Sequence, residues 1–164
     1  MFIMGTGSRG MVKRQDRREI YEALESYVLF LKQSDPDLVL ISGMAEGWDE
    51  AIAKVGMRNG IPYHVYIPSP SYGHYYWRKN SITGKNRMAT FNTLVEHAAE
   101  VHVVCANHEY GRANFTRNQV MVDACDSALV YDANSSGTRD AVARLVAANK
   151  PYQVYPFPTE QTLF

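Results

Sequence analysis

Residues 38–55 read LVLISGMAEGWDEAIAKV and contain the clearest indication of the architecture of the chain. It opens with four consecutive apolar residues, and such a run without alternation is typical of a strand buried on both faces. A turn of small residues follows, after which Trp48, Ile52 and Val55 recur at the spacing of one helix face. A buried strand that passes through a short turn into an amphipathic helix is the repeating unit of a parallel α/β sheet.

The same unit repeats in both directions along the 164 residues, whose length favours a single domain over 1–164. Strands are predicted at 2–4, 38–41, 63–67, 101–105, 128–131 and 152–155. Helical periods cover 20–31, 48–55, 88–98, 117–123 and 138–146. Two segments are predicted as loops: 5–10 holds too many glycines to continue a strand, and 69–85 is aromatic and basic without a clean period. The sequence therefore predicts an α/β fold with a mainly parallel sheet and helices on both faces.

The composition indicates an ordinary globular protein, with 46% apolar and 21% charged residues. Seventeen basic residues balance seventeen acidic ones, so the chain offers no overall field for a polyanion or an anionic membrane surface. We therefore expect no membrane partner. We also expect no nucleic-acid partner, since binding one would need a local basic patch.

Two features point to the cytoplasm. The sequence has no apolar run near the roughly 20 residues of a membrane helix and no signal peptide at its start. Its two cysteines, Cys105 and Cys125, fall in an apolar run and at the end of a helical pattern, where buried free thiols are expected.

Three turns rich in glycine and small hydroxyl residues follow predicted strands, at the edge of a parallel sheet where ligands bind. The first holds Gly5, Thr6, Gly7, Ser8 and Arg9. The second holds Ser42, Gly43, Met44, Ala45, Glu46, Gly47, Trp48 and Asp49. The third holds Asp132, Ser135, Ser136, Gly137 and Thr138. Because the N–H groups of glycine turns and helix starts bind anions, we expect the three turns to form one ligand crevice.

Each turn has a functional and a purely structural interpretation. In the functional one, Arg9 pairs with a phosphate, while Glu46 and Asp49 accept hydrogen bonds from ribose hydroxyls. In the structural one, the first turn only joins a strand to a helix and Asp49 only stabilises the first turn of its helix. The third turn would then be an ordinary N-cap by serine or threonine.

The 69–85 loop combines aromatic rings with cations, which suits stacking on a base beside a phosphate. Tyr75 and Trp77 are the candidate stacking residues there, together with Trp48 from the second turn. The alternative is a lid over its own core or a partner surface. Because enrichment in Tyr and Trp is also typical of a homodimer contact, we expect the chain to form a homo-oligomer, most simply a dimer. His97 and His102 show no ligand spacing, so neither a metal nor a cofactor is expected.

The three turns, in this order, resemble the SLOG superfamily, which includes the YpsA-like proteins, the DNA-processing protein DprA and the LOG phosphoribohydrolases. The resemblance is nearest to the YpsA-like branch, because its Tyr…Arg-Asn…Met-Val-Asp segment is matched here by Tyr110, Arg117, Asn118 and residues 121–123. It implies a Rossmann-like fold that holds a nucleotide or nucleotide-derived ligand at the carboxyl ends of the strands. It also adds Arg117 and Asn118 to the expected ligand contacts.

One departure from the LOG enzymes bears on catalysis. Their late catalytic glutamate is replaced here by Ala141, and Asp140 comes one residue early. Since one residue turns a helical side chain by about 100°, Asp140 is not a direct substitute. The first expectation is therefore a binding module that senses or sequesters a nucleotide-like molecule.

Two alternatives stay open. An N-glycosidic hydrolase would use Glu46 and Asp49 as tentative catalytic carboxylates, with Glu109 and Asp123 as further candidates. Single-stranded DNA binding, by analogy with DprA, is the second alternative.

Overall fold

The computed structural model describes residues 1–106 and 110–158, and within them the chain forms one six-stranded sheet. The strands are β1 (Phe2–Gly7), β2 (Val39–Ser42), β3 (Tyr63–Ile67), β4 (Glu100–Val103), β5 (Ser127–Tyr131) and β6 (Tyr152–Val154). Every neighbouring pair is parallel, in the order β4-β3-β2-β1-β5-β6. The predicted parallel sheet is confirmed.

Five α-helices connect the strands in the described part of the chain. They are α1 (Arg17–Ser34), α2 (Trp48–Asn59), α3 (Met88–Glu96), α4 (Tyr110–Ala124) and α5 (Ser136–Ala147). A short 3₁₀ helix, Arg9–Lys13, follows β1, and a π-helix, Gly73–Lys79, lies between β3 and α3. Helix α2 ends at Asn59, and its C-cap is Gly60, whose φ of 62° is the left-handed conformation that glycine adopts readily.

The helices cover both faces because the chain winds outward from β1 in two directions. On one face, Leu24 and Val28 of α1 pack with Ile52 of α2 and Leu94 of α3. On the other face, α4 and α5 bury an apolar cluster that includes Met4, Ile41, Met121, Val130 and Leu145. The predicted two-sided covering of the sheet is confirmed.

The strand order places the topological switch point between β1 and β5. The chain moves stepwise from β1 to β2, β3 and β4, then returns through α4 to pair β5 with the other side of β1. The connections that leave β1 and β5 therefore diverge at their carboxyl ends, and such divergence opens a crevice in this class of sheet.

The prediction that 5–10 forms a loop is wrong for its first half. Gly5, Thr6 and Gly7 belong to β1, where they pair in register with Leu129, Val130 and Tyr131 of β5. The two glycines are needed for the packing of α2 on the strand and not for a turn of the backbone. A Cβ at Gly5 would lie 2.8 Å from Ile52, and one at Gly7 would lie 2.6 Å from Trp48, so their absence lets α2 approach the strand.

The second predicted loop, 69–85, is partly helical, since Gly73–Lys79 forms the π-helix. The helical period predicted at 117–123 is the second half of the longer α4. The last predicted helix begins two residues early, at Ser136. No helix within the described ranges is both long and apolar enough to cross a membrane.

Candidate functional site

A crevice of about 450 Å³ opens at the carboxyl ends of β1 and β5, at the switch point of the sheet. Three parts of the chain line most of it: the end of β1 with the following 3₁₀ helix (6–10), the start of α5 (135–138), and one side of α4. Ala45 and Asp49 from the second turn complete the wall, together with Tyr72, Tyr76 and Ile82 from the segment that contains the π-helix. Residues from all three sequence turns therefore meet in one cavity.

Arg9 is the accessible cation of this crevice. Its side chain is 36% exposed, and its guanidinium lies 5.5 Å from the centre of the Tyr76 ring. One Nη donates to Glu46 at 3.3 Å and to the carbonyl of Asn80 at 3.2 Å. These contacts hold the guanidinium at the mouth of the cavity while leaving it open to an anion.

Arg117 of α4 is the buried cation, at 8% exposure. Its Nη1 donates to the carbonyl of Gly43 at 2.6 Å, and its guanidinium lies 5.9 Å from the centre of the Tyr72 ring. Its Nε is buried and has no hydrogen-bond partner among the described residues. A buried guanidinium with donor capacity to spare is poised to bind an anion that enters the crevice.

Asp49 is the counter-charge to Arg117. Burial raises its pKa to about 6, while Arg117 and the backbone N–H groups of Ala45, Gly7 and Gly43 oppose the rise. These hydrogen bonds join the first sequence turn to the second around one carboxylate. The Asp49 carboxylate is thus engaged by the wall of the crevice, as expected of a residue that organises the site.

The start of α5 supplies backbone donors. Ser135 is the N-cap residue, but its hydroxyl donates to Thr138 Oγ1 at 2.7 Å and makes no cap bond to the helix backbone in the described structure. A Cβ added at Gly137 would meet no described atom within 4 Å, so the first turn faces open space. The amide N–H groups of 136–138 are therefore available to an anion. Asn118 ties α4 to this turn by donating to the carbonyl of Gly137 at 3.2 Å.

Glu46 does not face the crevice, contrary to its expected role toward ribose or in catalysis. Its side chain is fully buried and both carboxylate oxygens are occupied. Oε1 accepts from the backbone N–H of Ile82 at 3.0 Å and from Arg9. Oε2 accepts from the Ser81 hydroxyl at 2.7 Å and from Arg87 at 2.8 Å. Glu46 therefore anchors the segment after the π-helix to the second turn.

The two tryptophans are also placed differently from the expectation that they stack on a base. Trp48 is fully buried, and its Nε1 donates to the carbonyl of Leu129 at 3.0 Å. Trp77 is fully buried as well, and its Nε1 donates to the carbonyl of Met44 at 2.8 Å. Neither ring has a free face, because both are fully buried in the same apolar core.

Four other predicted site residues also lie outside the lining of the crevice. Ser42 is buried and donates to the carbonyl of Asp49 at 2.7 Å, while Met44 fills the core with a left-handed φ of 58°. Tyr75 is half-exposed on the π-helix but outside the lining of the crevice. Asp132 is exposed beyond β5, where its carboxylate accepts from the N–H of Asn134 at 3.4 Å.

Of the carboxylates considered for hydrolysis, Asp49 lines the crevice, whereas the others lie outside its lining or outside the described residues. Asp140 accepts from Asn118 at 3.0 Å and from Arg144 at 2.9 Å, and Ala141 is buried in the core. Asp123 accepts from Gln119 at 2.8 Å on α4. Glu109 lies outside the described residues, and so does the side chain of Tyr110.

Three aromatic rings line the crevice although they are not among the predicted stacking residues: Tyr72 and Tyr76, which belong to the aromatic 69–85 segment, and Phe115. Phe115 is 42% exposed on α4, which is unusual for a residue of its size. Its signal in the sequence was its place two residues before Arg117, on a helix that the motifs already marked. Tyr72 and Tyr76 stand four residues apart, the spacing at which side chains meet on a helix.

Fold and crevice together define a class: a Rossmann-like α/β domain with polar, glycine-rich turns at its switch point. No protein-family model matches the chain, and no curated protein matches it. The solved structures that are similar in fold include two DNA processing proteins. The DNA processing protein A of Streptococcus pneumoniae has a TM-score of 0.66 and 17% identity, over 98% of this chain and 52% of that one. The DNA processing protein A of Helicobacter pylori has a TM-score of 0.62 and 14% identity, over 98% of this chain and 67% of that one.

This likeness confirms the Rossmann-like fold. The chain spans about half the length of the Streptococcus pneumoniae protein. The Helicobacter pylori structure was reported for its unique mode of single-stranded DNA binding. The expectation against a nucleic-acid partner is corrected by that finding, because net charge alone is a poor guide when a fold can concentrate its cations in one crevice.

Proposed function

We propose that the chain binds single-stranded DNA, with two neighbouring backbone phosphates held in the crevice by Arg9, Arg117 and the start of α5. The observation that carries the proposal is the meeting of two guanidinium groups and an uncapped helix start in one cavity at the switch point. Phosphate oxygens are the ligands that such a donor set prefers. The Helicobacter pylori protein of the same fold supports DNA as the source of the phosphate.

The aromatic rings support a polymer with exposed bases. Phe115 presents 42% of its surface beside the cavity, and Tyr76 lines it next to Arg9. Stacking of a base on such a ring contributes about 1–3 kcal/mol and tolerates any base, while a duplex keeps its bases stacked inside. We therefore expect weak sequence preference and a clear preference for single strands.

A second candidate is a free nucleotide or nucleotide-derived molecule. The volume of the crevice, about 450 Å³, falls in the range of roughly 300–1,000 Å³ typical of small-molecule sites. The ordered motifs that resemble the YpsA-like branch support this candidate. The same groups would hold the phosphate in either case, so the two candidates differ in whether one nucleotide or a strand fills the site.

The test is fluorescence anisotropy with a labelled oligothymidylate of about 15 nucleotides, a length within the usual site sizes. We expect saturable binding that Arg9→Ala weakens about tenfold or more. Arg18→Ala is the matched control, because it removes an exposed arginine of α1 that lies outside the crevice, and it should leave the affinity unchanged. Equal affinity of wild type and Arg9→Ala would remove the crevice from DNA binding.

Competition separates the two candidates. If the strand is the ligand, thymidine monophosphate should displace the oligomer only at concentrations far above those of unlabelled oligomer. If a free nucleotide is the ligand, a panel of nucleotides should contain a member that raises the Tm of the protein, and the oligomer should not bind.

A further inference from the structure

Three side chains of the types that bind metal ions lie together on β3 and β4. Strand β2 separates them from β1, which borders the crevice. The register pairs His64 with Glu100 and Tyr66 with His102. Because alternate residues of a strand point to the same face, His64, Glu100 and His102 share one face of the sheet. Among the described residues they form the one group of this kind, with ligand atoms all within 4.8 Å of one another.

We propose that His64, Glu100 and His102 form a binding site for a divalent first-row transition metal ion such as zinc. Two imidazoles and a carboxylate are the donor set of many zinc sites with three protein ligands. The fourth position would be taken by water. The proposal does not depend on the function of the crevice.

The distances fit a metal with little rearrangement. Ligand atoms of a tetrahedral zinc site lie about 3.3 Å from one another, given bonds of about 2.0 Å. Here Glu100 Oε2 lies 3.5 Å from His64 Nδ1 and accepts a hydrogen bond from His102 Nε2 at 2.8 Å. Glu100 and His102 are roughly half-exposed, so their side chains can adjust while the two strands keep the backbone fixed.

Neighbouring rings orient the two imidazoles. Tyr66 stacks on His102 with a centroid distance of 4.5 Å and an angle of 17° between the rings. Phe2 of β1 packs against His64 at 5.7 Å. His64 is the more buried of the two imidazoles, with 14% of its side chain exposed against 42% for His102. These ring contacts restrict the orientations that the two imidazoles can adopt.

The site would clamp an edge of the sheet. β4 is the last strand on its side, and its Val101 and Val103 are exposed. A metal bound to His64 of β3 and to two residues of β4 adds a link between the edge strand and the rest of the sheet. Because it binds the folded chain alone, the metal should raise the Tm.

The test is titration of tag-free, chelator-treated protein with zinc chloride in a calorimeter. We expect one zinc per chain, and a rise in Tm of about 5 °C at a hundredfold excess over the dissociation constant. His64→Ala, His102→Ala and the isosteric Glu100→Gln should each weaken zinc binding tenfold or more. His97→Ala is the matched control, since it removes an exposed imidazole of a different surface, and it should bind as wild type does.

Two results would overturn the proposal: no zinc binding by wild type, or wild-type affinity in both His102→Ala and Glu100→Gln. Circular dichroism of each variant without metal shows whether it folds. Visible absorption of bound Co²⁺ gives a second readout, and its loss in Glu100→Gln, with the fold intact, supports direct ligation.

Discussion

Gly7 is a residue whose missing side chain sets the distance between a helix and the sheet. An added Cβ would lie 2.6 Å from both Cβ and Cγ of Trp48. Trp48 cannot retreat, because its ring is buried, stacks on Tyr131 at 5.3 Å and donates to the carbonyl of Leu129. The glycine therefore belongs to the packing of the fold as much as to the crevice it borders.

We expect Gly7→Ala to lower the free energy of unfolding by about 1–3 kcal/mol or more, the usual cost of overpacking a core. Gly137→Ala is the contrasting variant, since its Cβ would enter open space at the start of α5. It should leave stability unchanged or raise it by up to about 1 kcal/mol. Urea unfolding of both variants decides this, and equal destabilisation would mean that the contact with Trp48 is not the cause.

Asp49 makes stability depend on pH in a direction opposite to most carboxylates. Its pKa in the folded protein is about 6, against 3.8 in a free side chain, because of burial. The folded state therefore takes up a proton before the unfolded state does as the pH falls. The contribution of Asp49 to stability is lowest above pH 6 and rises as the pH drops toward 4.

The variant Asp49→Asn removes this titration. Between about pH 7.5 and about pH 4.5, wild type should gain roughly 1–3 kcal/mol of unfolding free energy relative to the variant. Other carboxylates titrate in both proteins, so the difference isolates Asp49. Urea unfolding at the two pH values measures it, and a difference that stays constant or changes in the opposite sense would show that the buried carboxyl stays ionised throughout.

Among the elements, the segment from the π-helix to α3 is tied to the second turn and to α2 by a network of charged groups. Glu46 receives hydrogen bonds from Ser81, Ile82 and Arg87, and Arg87 also pairs with Glu50. Arg87 lies 5.0 Å from the centre of the buried Trp77 ring. The carboxylate of Glu46 thus fixes the wall of the crevice that carries Tyr76 and Ile82.

We expect Glu46→Gln to loosen this segment while the sheet stays folded, because the neutral amide weakens charge-assisted bonds of about 1.5–3 kcal/mol each. Trypsin should then cut faster after the exposed Arg78, Lys79 and Lys85. Glu96→Gln, on the exposed side of α3, is the control and should be cut like wild type. Unchanged cleavage of Glu46→Gln would show that the charge of Glu46 is not needed to hold the segment.

The elements also show which parts of the structure the sequence could predict. The apolar runs of β2 and β3 and the helical period of α2 are local signals, and each element forms where it is predicted. Gly5 and Gly7 led to the wrong prediction of a loop, because these positions lack a side chain in order to make room for α2, which lies far along the chain. Glycine usually weakens a strand, but here the close packing of a helix on the strand requires it.

The candidate site follows the same division. The position of the crevice could be predicted from the turns that follow the strands, because parallel strands bring their carboxyl ends to one edge of the sheet. Which side chains face it depends on helix rotation and on the π-helix, which the sequence pattern did not indicate. Trp77 and Glu46 therefore turned inward, while Tyr72, Tyr76 and Phe115 line the cavity. The sequence could not predict the group of His64, Glu100 and His102 either, because it forms only through the register between β3 and β4.

At the scale of the whole molecule, the balance of charge shapes how DNA would bind. Seventeen cations and seventeen anions leave no long-range attraction, so affinity must come from the few cations in the crevice. Each phosphate that a protein neutralises on a single strand adds about −0.7 to the slope of log K against log salt concentration. With Arg9 and Arg117 as the phosphate contacts, the slope should be about −1.4, which is shallow for a DNA-binding protein.

The variant Arg9→Ala should therefore reduce the magnitude of this slope by about 0.7 as well as weakening binding, because one released counterion is lost with the arginine. Anisotropy titrations of the labelled oligothymidylate between about 50 and 300 mM salt measure both slopes. Phe115→Ala is the contrasting variant, because it removes a stacking surface but no charge. It should weaken binding by about 1–3 kcal/mol at every salt concentration and leave the slope unchanged. A wild-type slope several units steeper would mean that the strand runs over a wider basic surface than the crevice. A slope that Arg9→Ala leaves unaltered would mean that the guanidinium at the mouth of the cavity does not contact phosphate.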